Sequence, residues 1–167
     1  MTRTDNPFYI VVNVAQQQLS LFDGKKCIKH YSIASARNGV GELNGSEQTP
    51  RGKHFIRAKI GYDKPINTVF VGRRDTGELF SESLREQYPD RDWILTRILW
   101  LCGSEPGFNR GGNVDTMRRY VYIHGAPDTD AMGLPSSHGC IKMRNDDVIE
   151  LFDKAPTGTP VTIVEES

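Results

Sequence analysis

The densest run of reactive residue types in the chain is Ser136-Ser137-His138-Gly139-Cys140, with His124 sixteen residues before the cysteine. A nucleophilic thiol needs a base within hydrogen-bond reach and surroundings that favour the thiolate. His124 closes an apolar run and meets a glycine, so its imidazole can lie at a sheet edge. Gly139 beside Cys140 permits a tight backbone whose successive N–H groups converge, as donors to a tetrahedral oxyanion must. Two plainer readings compete. Free cysteines are often buried as small apolar residues, which would make Cys140 a core residue and His124 a strand-end histidine. His124, His138 and Cys140 are also possible zinc ligands, but His-x-Cys is a poor chelate spacing and no Cys-x-x-Cys is present. No metal and no cofactor is expected.

Other loops invite claims that their spacing does not support. Six residues separate Gly45 from Gly52-Lys53 where a phosphate loop needs four, and His54 stands where Ser or Thr should meet magnesium. Gly39-Val40-Gly41 lacks the third glycine of a dinucleotide fingerprint. Asp128-Thr129-Asp130 starts like a calcium loop, but the following acidic and glycine positions are missing.

The elements that must position the cysteine and histidine read mainly as strands. Tyr9–Val14 suits a strand buried on both faces, and Asp23-Gly24 marks a hairpin between Leu19–Phe22 and Lys26–Ile33. Residues 35–53 form a polar loop; His54–Ile60 alternates, and Asn67–Gly72 is a further short strand. The polar stretch 73–92 holds a short helix near Ser83–Gln87. Trp93–Cys102 is a strand ended by Gly103 and Pro106, and Tyr120–His124 is stopped by Gly125. Asn145 is placed to cap a helix with Asp146 and Asp147 in its first turn and an apolar face of Val148, Leu151 and Phe152. Val161–Val164 closes the chain as a strand. The expectation is one mainly β domain over residues 1–167, its core about 8–165, with a few short helices.

Composition narrows the function classes. The chain has 167 residues with 21 Lys+Arg against 21 Asp+Glu, so no net positive field supports nucleic-acid binding through phosphates. No apolar run has membrane-spanning length, and Phe8–Val12 is too short for a secretory signal. Met1–Pro7 looks like a natural start, so a cytoplasmic location is expected, or a periplasmic one if a leader had been trimmed. Cys27, Cys102 and Cys140 read as thiols rather than a disulfide framework.

At these residues the sequence resembles the L,D-transpeptidase catalytic domain, the YkuD family, whose signature is a histidine, a variable stretch, then Ser/Thr-His-Gly-Cys and a hydrophobic residue. Here it reads His124, twelve residues Gly125–Ser136, then Ser137-His138-Gly139-Cys140-Ile141. The likeness continues through Met143, Asn145, Asp147-Val148 and Gly158-Thr159-Pro160-Val161, and upstream through Gln18–Phe22 and Thr49-Pro50-Arg51-Gly52. The resemblance implies bent, mixed β-sheets in a sandwich around the catalytic loop. It also implies Cys140 as acyl-forming nucleophile, His124 as its base and the Gly125 carbonyl as the group that orients the imidazole. Oxyanion donors would be N–H groups around Gly139 and Cys140, with His138 close by and Ser137 shaping the loop. The substrate class implied is the peptidoglycan stem peptide, cut before a terminal D-alanine, and carbapenem-type inhibitors would bind the same thiol.

A departure stands two residues after the cysteine, where the family often has Arg and this chain has Lys142, followed by Arg144. Lysine offers a point charge rather than a bidentate fork. Arg110, Arg118, Arg119, Lys142 and Arg144 are the candidate cations for the substrate's carboxylates, while Trp93 and Trp100 fit core packing. Without an export signal, an L,D-carboxypeptidase that trims recycled muropeptides is ranked above a cross-linking L,D-transpeptidase. A non-catalytic muropeptide-binding module is a third possibility.

Overall fold

A computed structural model describes residues 6–167; Met1–Asp5, most of the segment read as a natural start, lie outside the described residues. The strands are β1 (Phe8–Asn13), β2 (Gln18–Asp23), β3 (Lys26–Ala34), β4 (Gly52–Ile60), β5 (Thr68–Val71), β6 (Arg74–Leu79), β7 (Ile94–Gly103), β8 (Tyr122–Gly125), β9 (Ile141–Met143) and β10 (Pro160–Val164). Two helices accompany them, α1 (Glu82–Gln87) and α2 (Asn145–Lys154). The strands form one mixed sheet in the order β4-β10-β1-β2-β3-β9-β8-β7-β5-β6. β4 also pairs with β7, so the strands from β4 round to β7 close on themselves, and the β5–β6 hairpin hangs from β7. Among the paired strands of the described residues, only β1–β10 and β8–β9 are parallel.

The core follows the period-two pattern of the strands. Ile10, Val12, Leu19, Leu21, Leu99, Leu101, Ile123 and Ile141 point into one apolar cluster, which Val148, Leu151 and Phe152 of α2 cover from one side. A smaller cluster on the opposite face of β7 holds Ile98 and Tyr122, with Trp100 and Cys140 against it.

Three expectations change, and one strand, β9, is new. β1 is not buried on both faces: Ile10 and Val12 are inside, while Tyr9 faces outward and stacks on Phe22 of β2 with ring centroids 4.7 Å apart. The polar stretch 73–92 contains β6 as well as α1; β6 is exposed along most of its length at the sheet edge, so it carries no apolar alternation. β9 has three residues, too few for any periodic signal. The cap residue of α2 is Arg144 rather than Asn145, whose side chain is buried and turned inward to Thr96, Ala126 and Asp128.

One buried group makes stability depend on pH. His54 on β4 donates from Nδ1 to the Gly52 carbonyl (3.0 Å) and accepts at Nε2 from Thr116 Oγ1 (3.0 Å), a tautomer assigned from those partners. Burial pushes its pKa down from 6.5 to about 4. Between those values the unfolded chain binds a proton that the folded chain refuses, so stability is lost as pH falls through that window. The full effect is on the order of 3 kcal/mol. Urea midpoints measured from pH 7 to pH 4 should fall, and His54→Gln should make that fall shallower without abolishing it, because buried His124 titrates in the same sense. A His54→Gln profile as steep as the parent's would place the titration elsewhere.

Candidate active site

Strand register brings the reactive residues to one face. Ile98 of β7 lies opposite His124 of β8, and Trp100 opposite Tyr122; His124 in turn pairs with Lys142 of β9. Residues two apart share a face, so Ile98, Trp100, Tyr122, His124 and Lys142 look the same way. Cys140, just ahead of β9, joins them at the level of Tyr122. The Tyr122 N–H donates to Cys140 Sγ at 3.3 Å, and the thiol's other partner is the Tyr120 carbonyl at 3.5 Å. His124 is therefore a diagonal neighbour of Cys140 across the parallel β8–β9 pair, two residues along β8 from the level of the thiol. The direct thiol–imidazole hydrogen bond expected from the residue types is not formed here, because the thiol is turned to the Tyr120–Tyr122 backbone.

Electrostatics keep both groups neutral at rest. Burial pushes the Cys140 thiol up to about 12; the Tyr122 N–H, Arg119 and Lys142 pull the other way and Asp92 adds to the rise. Burial also pushes the His124 imidazole down, against the pull of Asp92 and the Gly125 carbonyl. A neutral thiol beside a neutral imidazole suits proton transfer during attack rather than a standing ion pair.

The histidine is oriented from below. Its Nδ1 donates to its neighbour's carbonyl, Gly125 O, at 2.6 Å, which leaves Nε2 with the lone pair. Gly125 has to be glycine: a Cβ there would lie 2.6 Å from the Leu95 carbonyl and also overlap Asn145 Oδ1. Asn145 anchors this corner. It accepts from Thr96 Oγ1 at 2.6 Å and donates to the Ala126 carbonyl at 2.9 Å and Asp128 Oδ1 at 3.0 Å. Thr96 belongs to the irregularity between Leu95 and Ile98, where its φ is +74°.

The cysteine loop is held by its neighbours. Ser137 Oγ donates to the Cys140 carbonyl and accepts from the Gly139 N–H at 3.2 Å. Gly139 sits at φ +135°, a region that side-chain-bearing residues rarely enter. Thr49 Oγ1 donates to the Gly139 carbonyl at 3.0 Å and accepts from the Ala36 N–H. The Gly139 N–H expected as an oxyanion donor is thus already engaged with Ser137. Among the described residues the Cys140 N–H has no protein acceptor.

The candidate cations disperse. Arg119 is half-buried beside the thiol, donating to the Gln48 carbonyl at 2.6 Å. Lys142 is only 13% exposed and faces Asp130 at 3.3 Å, which Arg85 of α1 also grips at 2.9 Å, so its charge is already partnered. Arg144 is solvated, 4.0 Å from Asp147. Arg110 and Arg118 line a separate depression. His138 turns outward, 56% exposed, with Nδ1 3.8 Å from Asp92. Among the described residues no three His, Cys, Asp or Glu side chains converge as metal ligands.

Three neighbours escaped the sequence reading. Asp92 bears on both Cys140 and His124 but lies in a polar stretch with no motif. Arg73, at the tip of the β5–β6 hairpin, sits 4.6 Å from the Tyr120 ring centroid and donates to Tyr122 Oη at 3.1 Å. Thr49 carried a signal only as part of the upstream Thr-Pro-Arg-Gly segment. A second depression, of about 440 Å³ beside Asn6, Thr157 and Pro160, holds no titratable group and does not adjoin this site.

Comparison with known proteins identifies the family. The chain is 39% identical over 159 residues to a putative L,D-transpeptidase, YqjB of Bacillus subtilis, covering 95% of this chain and 72% of that protein. It is 47% identical over 159 residues to a probable L,D-transpeptidase, ErfK/SrfK of Salmonella typhimurium, covering 93% of this chain and 44% of that one. Against the probable L,D-transpeptidase YbiS of Escherichia coli the match is 44% over 111 residues, 65% of this chain and only 35% of the relative. The chain thus spans a third to a half of those two longer relatives. Solved structures agree in fold: Bd1075 of Bdellovibrio bacteriovorus (TM-score 0.59, 18% identity, 99% of this chain, 50% of that one) and LdtMt1 in complex with imipenem (TM-score 0.56, 15% identity, 95% and 59%). The profile of the L,D-transpeptidase catalytic domain spans residues 7–163, from β1 to β10, and the chain belongs to that family, YkuD.

Proposed function

We propose that Cys140 is the nucleophile of an acyl transfer from peptidoglycan stem peptides, with His124 as its base. The observation that carries this is the shared strand face: a thiol held by the Tyr122 N–H, diagonal to an imidazole whose Nδ1 is fixed by the Gly125 carbonyl. His124 Nε2 takes the thiol proton as Sγ attacks the carbonyl of the residue before the terminal D-alanine. The Cys140 N–H donates to the resulting oxyanion, while Ser137 and Thr49 hold the loop that aims it. Collapse breaks the C–N bond, His124 returns its proton to the departing amine, and D-alanine leaves behind a thioester on Cys140.

The acceptor decides what the cell sees. Transfer to water releases a tripeptide, the L,D-carboxypeptidase reaction suited to trimming recycled muropeptides in the cytoplasm. It is our first reading; residue Cys140 is only partly buried, which leaves an approach for water once the thioester forms. Transfer to the amine of a second stem gives a cross-link, and the names of the relatives favour it. Incubating the protein with disaccharide-tetrapeptide and separating the products tests both. Free D-alanine with tripeptide supports the first reading, and D-alanine with a cross-linked dimer the second. Intact tetrapeptide would reject the substrate assignment.

A further inference from the structure

We infer that a depression walled by Arg57, Arg110 and Arg118 is a second binding site, one that takes a carboxylate-bearing part of a peptide remote from the bond being cut. This rests on the peptide-acyl-transfer reading above and adds a place on the molecule. The depression measures about 410 Å³, and its apolar surface comes from Phe55, Cys102 and Met117. All three arginines are exposed, and none belongs to an ion pair among the described residues. Among the described residues the only acid in the wall, Asp115, has its carboxylate bonded to the Gly111 N–H (2.8 Å) and the Arg118 N–H (2.9 Å) of its own loop. Three guanidinium groups against one occupied carboxylate leave a local positive excess on a chain of zero net charge. Guanidinium forks pair with carboxylates in two parallel hydrogen bonds, and the apolar surface suits the aliphatic body of a peptide.

Position ties the depression to the thiol. Trp100 and Cys102 lie on the same face of β7, so this surface continues that of His124 and Tyr122 by one strand step. The segment 115–122 joins them: Asp115, Met117 and Arg118 wall the depression, while Tyr120 and Tyr122 hold Cys140 Sγ. The Trp100 Nε1–H donates to the Met117 carbonyl at 3.1 Å and fixes the middle of that segment. Five residue steps from Met117 to Tyr122 set an upper limit of about 18 Å even if fully extended, comparable with the roughly 14 Å of a stretched four-residue peptide.

The test measures binding without turnover, on the Cys140→Ala protein, by calorimetry with a synthetic stem tetrapeptide and with the same peptide amidated at its carboxylates. Arg57→Gln/Arg118→Gln should weaken binding of the acidic peptide by about tenfold and leave the amidated peptide unaffected. Thermal melting confirms that the variants remain folded. Equal affinities for the acidic peptide with and without these arginines would overturn the site. So would displacement of the acidic peptide by inorganic phosphate at matching concentration, which marks a general anion patch. Loss of the acyl-transfer reading would instead show as a failure of Cys140 to acylate, a separate measurement on the parent protein.

Discussion

His124→Ala should slow acylation of Cys140 by about 10³-fold, within the 10²–10⁴ range for removal of a positioned general base. The size follows from the resting state. With the thiol pushed up to about 12, almost none of it is ionised near neutrality, so attack depends on a partner that removes the proton. The pH profile separates loss of a base from loss of structure. In the parent, acylation is lost as pH falls through the pKa of His124, which burial holds below 6.5. In His124→Ala that limb disappears, and the rate climbs with pH toward the titration of Cys140 itself. Stopped-flow acylation by a carbapenem across the pH range reads both. A variant that keeps the acid limb would assign it to another group.

Gly125→Ala should slow turnover by about 10²-fold and should cost about 1–3 kcal/mol of stability. The added methyl meets the Leu95 carbonyl at 2.6 Å, and Leu95 is the strand partner of Gly125, so the backbone has no room to retreat. Relief comes by displacing Gly125, whose carbonyl sets the imidazole's direction. Trimming Asn145 removes only one of the two obstacles, so Gly125→Ala/Asn145→Gly should regain neither stability nor rate. Urea denaturation and D-alanine release measure the two effects; recovery in the double variant would show that Asn145 alone made glycine necessary.

These effects mark where the sequence is informative and where it stops. Residue type and local spacing pick out Cys140, His124 and the Ser-His-Gly turn as candidates, because the loop and the strand end are local features, while their roles come from the family resemblance. The same holds for the β2–β3 hairpin at Asp23-Gly24 and for the apolar face of α2. Asn145 misleads for a physical reason: an Asn ahead of acidic residues reads as a cap, whereas its side chain answers polar groups on β7 and beyond β8. The pairing of β4 with β7 that closes the sheet joins segments too far apart for any local pattern. Distance in sequence deceives in the other direction with Arg118 and Arg119. They are adjacent in the chain, yet one walls the outer depression and the other lies beside the thiol.

Mass spectrometry of the intact protein, mixed with a carbapenem and then digested, tests the central claim most directly. The parent should gain the mass of one acyl group, located on the peptide that contains Cys140, and Cys140→Ala should gain nothing. An adduct that persists in Cys140→Ala, or maps to Cys27 or Cys102, would contradict the assignment of Cys140 as the nucleophile.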